Sequence, residues 1–394
     1  MELKMSKKVS LMEAFKIVID PRINRTKKHK LLDIIVVAVC GTIASCDTWV
    51  EIEDFGNERL DWLRSFLELP NGIPSHDTFG RVFAVLDPLE FQKAFYNWTR
   101  SVFNISEGEI IAIDGKFFNA TDNFDANREK RSKTLLGTVN AWATNAGVAL
   151  AQKKIDCQKK NEQIIMRDLI DFLYLENCIV TMDAAGSHAQ TVNKIIDKGG
   201  DYCVPLKNNQ RKILEQAKLV FGRAPEVSTY STKESGHGRV EEREATSINF
   251  DDSFYAWWEH RIKKIHAMEK WKGLKSVTRI VSKRITKTGS SIEIKYYVSS
   301  LNADAKKILN IVRSHWRIEN SLHWTMDLVF NEDRSTIRNG YSSENMSLLR
   351  KFALNILKHD KSENKSINRK RLKASLNQQY IVKLLSEINE GVII

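Results

Sequence analysis

Two short apolar runs that each end on an aspartate constrain this chain more than any other feature: IIAID (110–114) and CIVTMD (178–183). Apolar runs of this length are what a strand buried on both faces requires. An aspartate at the end of such a run presents a charged oxygen at the sheet edge without burying it. Either aspartate alone could equally begin a turn or cap a helix. Two such strand ends in one region predict an open sheet whose carboxyl edge gathers functional side chains.

The surrounding pattern agrees. Strands are expected over Glu109–Phe118, Leu135–Thr144, Val148–Lys153, Cys178–Met182 and Tyr202–Leu206. Helices are expected over Gln163–Phe172, capped by Asn161, and over Ala189–Lys198. Three strands followed by alternating helix and strand give a mixed sheet with helices on its faces. Upstream, residues 1–105 read as helical: Leu11–Ile19, Leu31–Ser45, Val50–Leu67, Thr78–Leu86 and Glu90–Phe103. Pro21, Pro70, Pro74 and Pro88 punctuate them, Ser75 or Asp77 is the expected N-cap of the fourth, and Phe79, Phe83, Phe91, Phe95 and Trp98 are expected in the core. Downstream, the chain turns β-like again, with alternation over Ser276–Ile285 and Ser291–Ser300. Helices then return over Ala303 to about Val329, Ser343–Lys358 and Ile381–Ile388. The expected division is a helical N-terminal unit, DNA-binding or associated (1–105), the first part of the sheet domain (106–226), a β-rich insertion (227–301), completion of the sheet domain with a third carboxylate (302–360) and a basic helical tail (361–394).

Charge narrows the partner. Lys plus Arg number 61 against 49 for Asp plus Glu, a formal charge of +12, which attracts polyanions. The five cysteines (Cys40, Cys46, Cys157, Cys178, Cys203) have no paired spacing, which speaks against a disulfide framework or structural zinc and for a reducing cytoplasm. The run Ile34–Ser45 is shorter than the ~20 residues that cross a bilayer, so it reads as a buried helix and no membrane role is expected.

A third carboxylate lies in RSHWRIENSLHWTMD. On a helix His315, Glu319 and His323 recur every four residues and share a face, with Trp316 beside them. This could be a hydrogen-bond network, a zinc site or a carboxylate ligand. Imidazole suits zinc, whereas carboxylates at strand ends suit Mg²⁺ or Mn²⁺.

Taken together, IAIDGK (111–116), VTMDAAG (180–186), GGDYCVPLKNNQ (199–210), HGRVEER (237–243), HWRIENSLHW (315–324) and FNEDRSTIR (330–338) resemble the DDE transposases of bacterial insertion sequences. DTWVEIEDFG (47–56) and GIPSHDTFGRVF (72–83) match the H-repeat-associated subgroup, so the resemblance spans nearly the whole chain in order. It implies a ribonuclease H-like mixed sheet with flanking helices, a β-rich insertion and a helical N-terminal region. It also implies Asp114, Asp183 and Glu319 as the catalytic, metal-binding triad, the ligands of two Mg²⁺ ions for which Mn²⁺ substitutes. The implied activity is cleavage of element ends and joining of 3′ hydroxyls to target DNA. The alternatives are a metal-dependent nuclease and an inactive transposase-derived DNA-binding protein. The family's tyrosine, arginine and lysine around the glutamate are here Val312, His315 and Met326, and Asp327, Glu332 and Asp333 are the fallback third carboxylates.

The partners expected are double-stranded DNA, at both the terminal repeats and the target, and a second copy of the chain, since synapsis joins two ends; the setting expected is the bacterial nucleoid. Lys207, Gln210, His237, Arg239, Arg243, His315, Arg317 and His323 are the DNA-binding candidates. In a strand Arg239, Glu241 and Arg243 share a face, which suits either bidentate phosphate contact or a cross-strand salt-bridge ladder. The basic stretches 24–30, 128–133 and 368–373 read as solvated, phosphate-facing surface. Trp257 and Trp258 suit either base stacking or core packing.

Overall fold

A computed structural model describes residues 9–388 apart from 104, 118–135, 157–161, 222–227, 237 and 251–269. The basic stretch 128–133, Cys157, Asn161, His237, Trp257 and Trp258 lie outside the described residues.

The two apolar runs become neighbouring parallel strands. Strand β1 (Ile110–Phe117) pairs with β4 (Ile179–Met182), Ile113 standing opposite Met182, so Asp114 and Asp183 occupy the next rung side by side. Strands β2 (Leu136–Ala143) and β3 (Val148–Asp156) add antiparallel on one side, and β5 (Asp201–Leu206) adds parallel on the other. The β-rich segment does not fold away from this sheet. Strands β6 (Ser228–Gly236), β7 (Arg239–Asn249), β8 (Ser276–Thr286) and β9 (Gly289–Ser299) extend it through a β5–β9 antiparallel pairing, giving nine strands in the order β3-β2-β1-β4-β5-β9-β8-β7-β6.

The helical elements of the N-terminal part are α1 (Leu11–Lys16), α2 (Leu31–Ile43), α3 (Trp49–Glu58), α4 (Leu60–Leu63), α5 (His76–Val85) and α6 (Pro88–Val102). The expected single helix Val50–Leu67 is instead broken at Arg59. Ser75 is the N-cap of α5, its hydroxyl accepting from Thr78 N. The apolar run forms α2, whose residues Ile34 to Val39 are fully buried. Helices α7 (Glu162–Phe172), α8 (Ala189–Asp197) and α9 (Arg211–Phe221) belong to the sheet domain. Helix α10 (Ala305–Ile318) runs into a π-helical turn (Glu319–His323) and then α11 (Trp324–Leu328). Helices α12 (Ser342–His359), α13 (Ile367–Leu376) and α14 (Gln378–Ile388) close the chain.

The N-terminal helices pack against the C-terminal helix α12. Phe352 of α12 lies 4.9 Å from Phe15, 4.6 Å from Phe95 and 5.1 Å from Trp98 between ring centroids, and all the expected aromatics are fully buried. The tail reading needs correction. Within Asn368–Lys373, Lys370 and Arg371 are buried, not solvated. Arg371 donates to the carbonyls of Thr42 and Val329 and to Asp47 Oδ1 (2.8 Å), and covers the Phe330 ring. A buried guanidinium is tolerated because its donors are satisfied. The four described cysteines are free and buried, and no helix among the described residues is long and apolar enough to cross a membrane.

Candidate active site

The site grows from the point where β1 stops being buried. Ile110 to Ile113 are buried, and Asp114 is the first residue of the strand to open toward solvent. Asp183 begins the turn after β4. Its Oδ1 accepts from Gly186 N (3.2 Å), its carbonyl from Ser187 Oγ (3.0 Å), and Asn209 Nδ2 donates to Ala184 O (2.5 Å). Gln210 Nε2 meets His188 Nδ1 at 2.8 Å, so the segment after β5 braces the turn that carries Asp183.

Glu319 arrives from the opposite direction. Asp304 caps α10, accepting from Lys307 N (2.9 Å), and α10 packs across β1, β4 and β5 to present Glu319 at its C-terminal end. Burial, then the charges of Asp183 and Glu319, push the Asp114 carboxyl up to about 7. Burial raises Glu319 as well. Asp183 and Glu319 thus both lie close enough for their charges to act on Asp114.

Both imidazoles lie close to these acids. His323 Nδ1 is 3.7 Å from Asp114 Oδ2, and Asn140, opposite Asp114 on β2, has Nδ2 3.4 Å from His323 Nε2. Donation from Asn140 leaves the ring hydrogen on Nδ1, facing Asp114. Burial, reinforced by Lys116 and Lys351, lowers His323 to about 3, and burial lowers His315 to about 4. Each is a neutral imidazole at pH 7. His315 Nδ1 has no hydrogen-bond partner among the described residues. Arg317 turns away and donates to Thr144 O at 3.3 Å.

Lys116 of the same strand sorts the remaining acids. It reaches past the site to Asp327 and to Glu332, the latter at 2.8 Å. Glu332 also accepts from Ser347 Oγ (2.6 Å). Burial pulls Glu332 up, but Lys116, Lys351 and Arg350 outweigh it and hold the carboxyl near 2. Asp327 and Glu332 are thus already balanced by a cation, unlike Glu319. Among the described residues no three His, Cys, Asp or Glu side chains form a ready-made metal cage.

Residues 105–356 match the family model described as "Transposase DDE domain", and residues 12–99 match the model described as "DDE_Tnp_1-associated". "Putative transposase YncI" of Escherichia coli O157:H7 is 37% identical over 388 residues, covering 97% of this chain and 95% of that protein. "H repeat-associated putative transposase YhhI" of Escherichia coli strain K12 is 33% identical over 394 residues, covering 98% and 99%. The chain belongs to the DDE transposase family. A piggyBac transposase synaptic complex with hairpin DNA aligns at 11% identity and a TM-score of 0.44, over 98% of this chain and 83% of that one.

In this DDE transposase the arginines of the HGRVEER motif are engaged within the protein. Arg239 Nε is 2.7 Å from Glu241, Arg243 pairs with Glu241 too, and Arg243 also reaches Glu234 on β6 at 3.3 Å. Arg313 of α10 meets the same Glu234 at 2.7 Å. Lys207 is exposed at the end of β5. Three site-lining residues had no sequence signal of their own: Asn140, His188 and Glu162. Asn140 and His188 sit in apolar or small-residue surroundings, where a lone polar residue reads as ordinary. Glu162 opens a helix, where an acid is common for dipole reasons alone.

Proposed function

We propose that this chain hydrolyses phosphodiester bonds at the ends of its own insertion sequence and joins the freed 3′ hydroxyls to target DNA. The observation that carries the reading is the meeting of Asp114 and Asp183 at adjacent parallel strand ends, with Glu319 set against them by α10. The order β3-β2-β1-β4-β5, with β1, β4 and β5 parallel, supports a ribonuclease H-like scaffold.

The donor set fits a hard divalent cation. All three groups are carboxylates, and their mutual repulsion at Asp114 is what such a cation would relieve. Asp114, Asp183 and Glu319 would hold Mg²⁺ or Mn²⁺, two ions in this reading. When bound, such ions activate the attacking oxygen and stabilise the departing one. The protein's own part is placement: β1 and β4 fix the aspartates in register, α10 delivers Glu319, and neutral His323 stands with Nδ1 3.7 Å from Asp114 without adding charge. Lys207 and Gln210 border the turn after Asp183 and are suited to the incoming phosphate backbone. For Arg239 and Arg243 to bind phosphate they must exchange Glu241 for it, a trade that salt would weaken. Two ends brought together imply two copies of the chain on DNA.

The deciding experiment is cleavage of labelled element-end DNA in Mn²⁺ by the wild type and by Glu319→Gln. Cleavage by the wild type alone supports the reading. Equal cleavage by both moves the third ligand to Asp327, Glu332 or Asp333, and cleavage without joined product would make the chain a nuclease.

A further inference from the structure

Glu162 is an acid at this site that the three-carboxylate motif does not contain. It is the first residue of α7 and comes against β1 at Gly115, the residue after Asp114. A Cβ at Gly115 would fall 2.1 Å from Glu162 Oε1 and 3.1 Å from its Cδ. The carboxylate therefore lies against the Gly115 α-carbon, in space that any other residue would occupy. Successive strand residues face opposite sides of the sheet. Gly115 thus admits Glu162 on the α7 side, whereas Asp114 and Lys116 face the side that His323 and Asp327 occupy.

The position of α7 is tightly set. A Cβ at Gly186, in the turn after Asp183, would fall 2.6 Å from Met166 Sδ of α7 and 2.7 Å from Met182 Sδ of β4. Helix α7 is thus pressed against the turn that carries Asp183, with Glu162 at its leading end. The charges confirm the proximity. After burial, the influence that raises Glu162 is Asp183, and Glu162 in turn adds to the upward push on Asp114. No lysine or arginine among the described residues acts on Glu162 in the opposite sense.

We propose that Glu162 is a fourth carboxylate of the cation site, a ligand reaching the aspartate pair from the face opposite Glu319, and that Gly115 is required because it leaves room for that carboxylate. The assignment rests on the proposed metal-dependent function. It places acids from α7 and α10 on the two sides of the β1–β4 edge, so a cation seated there is gripped from both faces.

The test is Mn²⁺ binding to the full-length chain with its element-end duplex, read by the electron paramagnetic resonance signal of free Mn²⁺. Glu162→Gln should weaken Mn²⁺ binding by roughly tenfold or more, with an unchanged far-ultraviolet circular dichroism spectrum. Gly115→Ala should give the same loss although it removes no ligand, because the added methyl displaces a flexible carboxylate and nothing in the backbone. The Gly115→Ala/Glu162→Ala double variant should bind no more weakly than Glu162→Ala alone, since both lesions act through one group. Wild-type affinity in Glu162→Gln, with binding lost in Asp114→Asn, would overturn the assignment and leave the proposed function standing. Additive losses in the double variant would equally overturn it. Absence of Asp114-dependent Mn²⁺ binding in the wild type would overturn both readings together.

Discussion

At the residue scale, Asp114 works against the fold that holds it. Its carboxyl is raised from 3.8 to about 7 by burial and by the like charges of Asp183, Glu319 and Glu162. Between those pH values the folded protein keeps a proton that the unfolded chain has released. Raising the pH through that window therefore removes stability from the cation-free protein, on the order of 2–4 kcal/mol by the time it is complete. Asp114→Asn should raise the thermal midpoint of the cation-free protein by several degrees at pH 8, change it little at pH 4, and abolish cleavage. An unchanged midpoint at pH 8 would mean the carboxylates do not crowd one another. Glu332 has the opposite sign. Held near 2 by Lys116, Lys351 and Arg350 against the cost of burial, it contributes stability above its ordinary 4.5 that is lost as pH falls from there to about 2. Glu332→Gln should cost about 3 kcal/mol at pH 7 in urea unfolding, because it leaves buried cations unpaired, and should flatten the acid limb of the stability curve.

At the element scale, the strand ends were legible and the finer path of the helix that carries Glu319 was not. IIAID and CIVTMD announce themselves because a strand buried on both faces must be continuously apolar, and the register that sets Asp114 beside Asp183 follows from where those runs stop. His315, Glu319 and His323 repeat every four residues, which reads as unbroken α-helix. The structure instead inserts a π turn at Glu319–His323, a change in hydrogen bonding that no side-chain pattern announces. Strand β6 escaped notice because its sequence STYSTKESG lies at the sheet edge, largely exposed, with no apolar face to alternate. The helical tail was expected, but the burial of Lys370 and Arg371 in α13 was not, because hydrogen bonds and not apolarity accompany it. The π turn sets the angle between Glu319 and His323, which the proposed function makes testable. Deleting the exposed Asn320 should restore a plain α-helix, swing His323 away from Asp114 and cut cleavage roughly a hundredfold, with helix content by circular dichroism unchanged. Cleavage at the wild-type rate would show that the angle is not needed.

At the scale of the whole molecule, the N-terminal helices and the last third of the chain share one core. Phe352 closes the cluster of Phe15, Phe91, Phe95 and Trp98, so a fragment of residues 1–105 should lack cooperative thermal unfolding. Phe352→Ala in the full chain should cost about 4 kcal/mol, read by urea unfolding of the full-length protein. Separate transitions for the two regions would contradict a shared core. Sequence reading drew a boundary at 105 because the pattern changes from helix to strand there. Packing crosses that boundary, since Phe352 lies 352 − 15 = 337 residues after Phe15 and 352 − 95 = 257 after Phe95. Arg371 extends this dependence to the end of the chain, where one guanidinium satisfies carbonyls at the close of α2 and after α11. A gene for this protein can therefore be silenced far downstream of its chemistry. A stop codon just after His359 would spare the codons for Asp114, Asp183 and Glu319, yet leave Thr42 and Val329 without their shared donor. A truncated copy would then keep the codons for all three carboxylates and still lose the packing that joins the two ends of the chain.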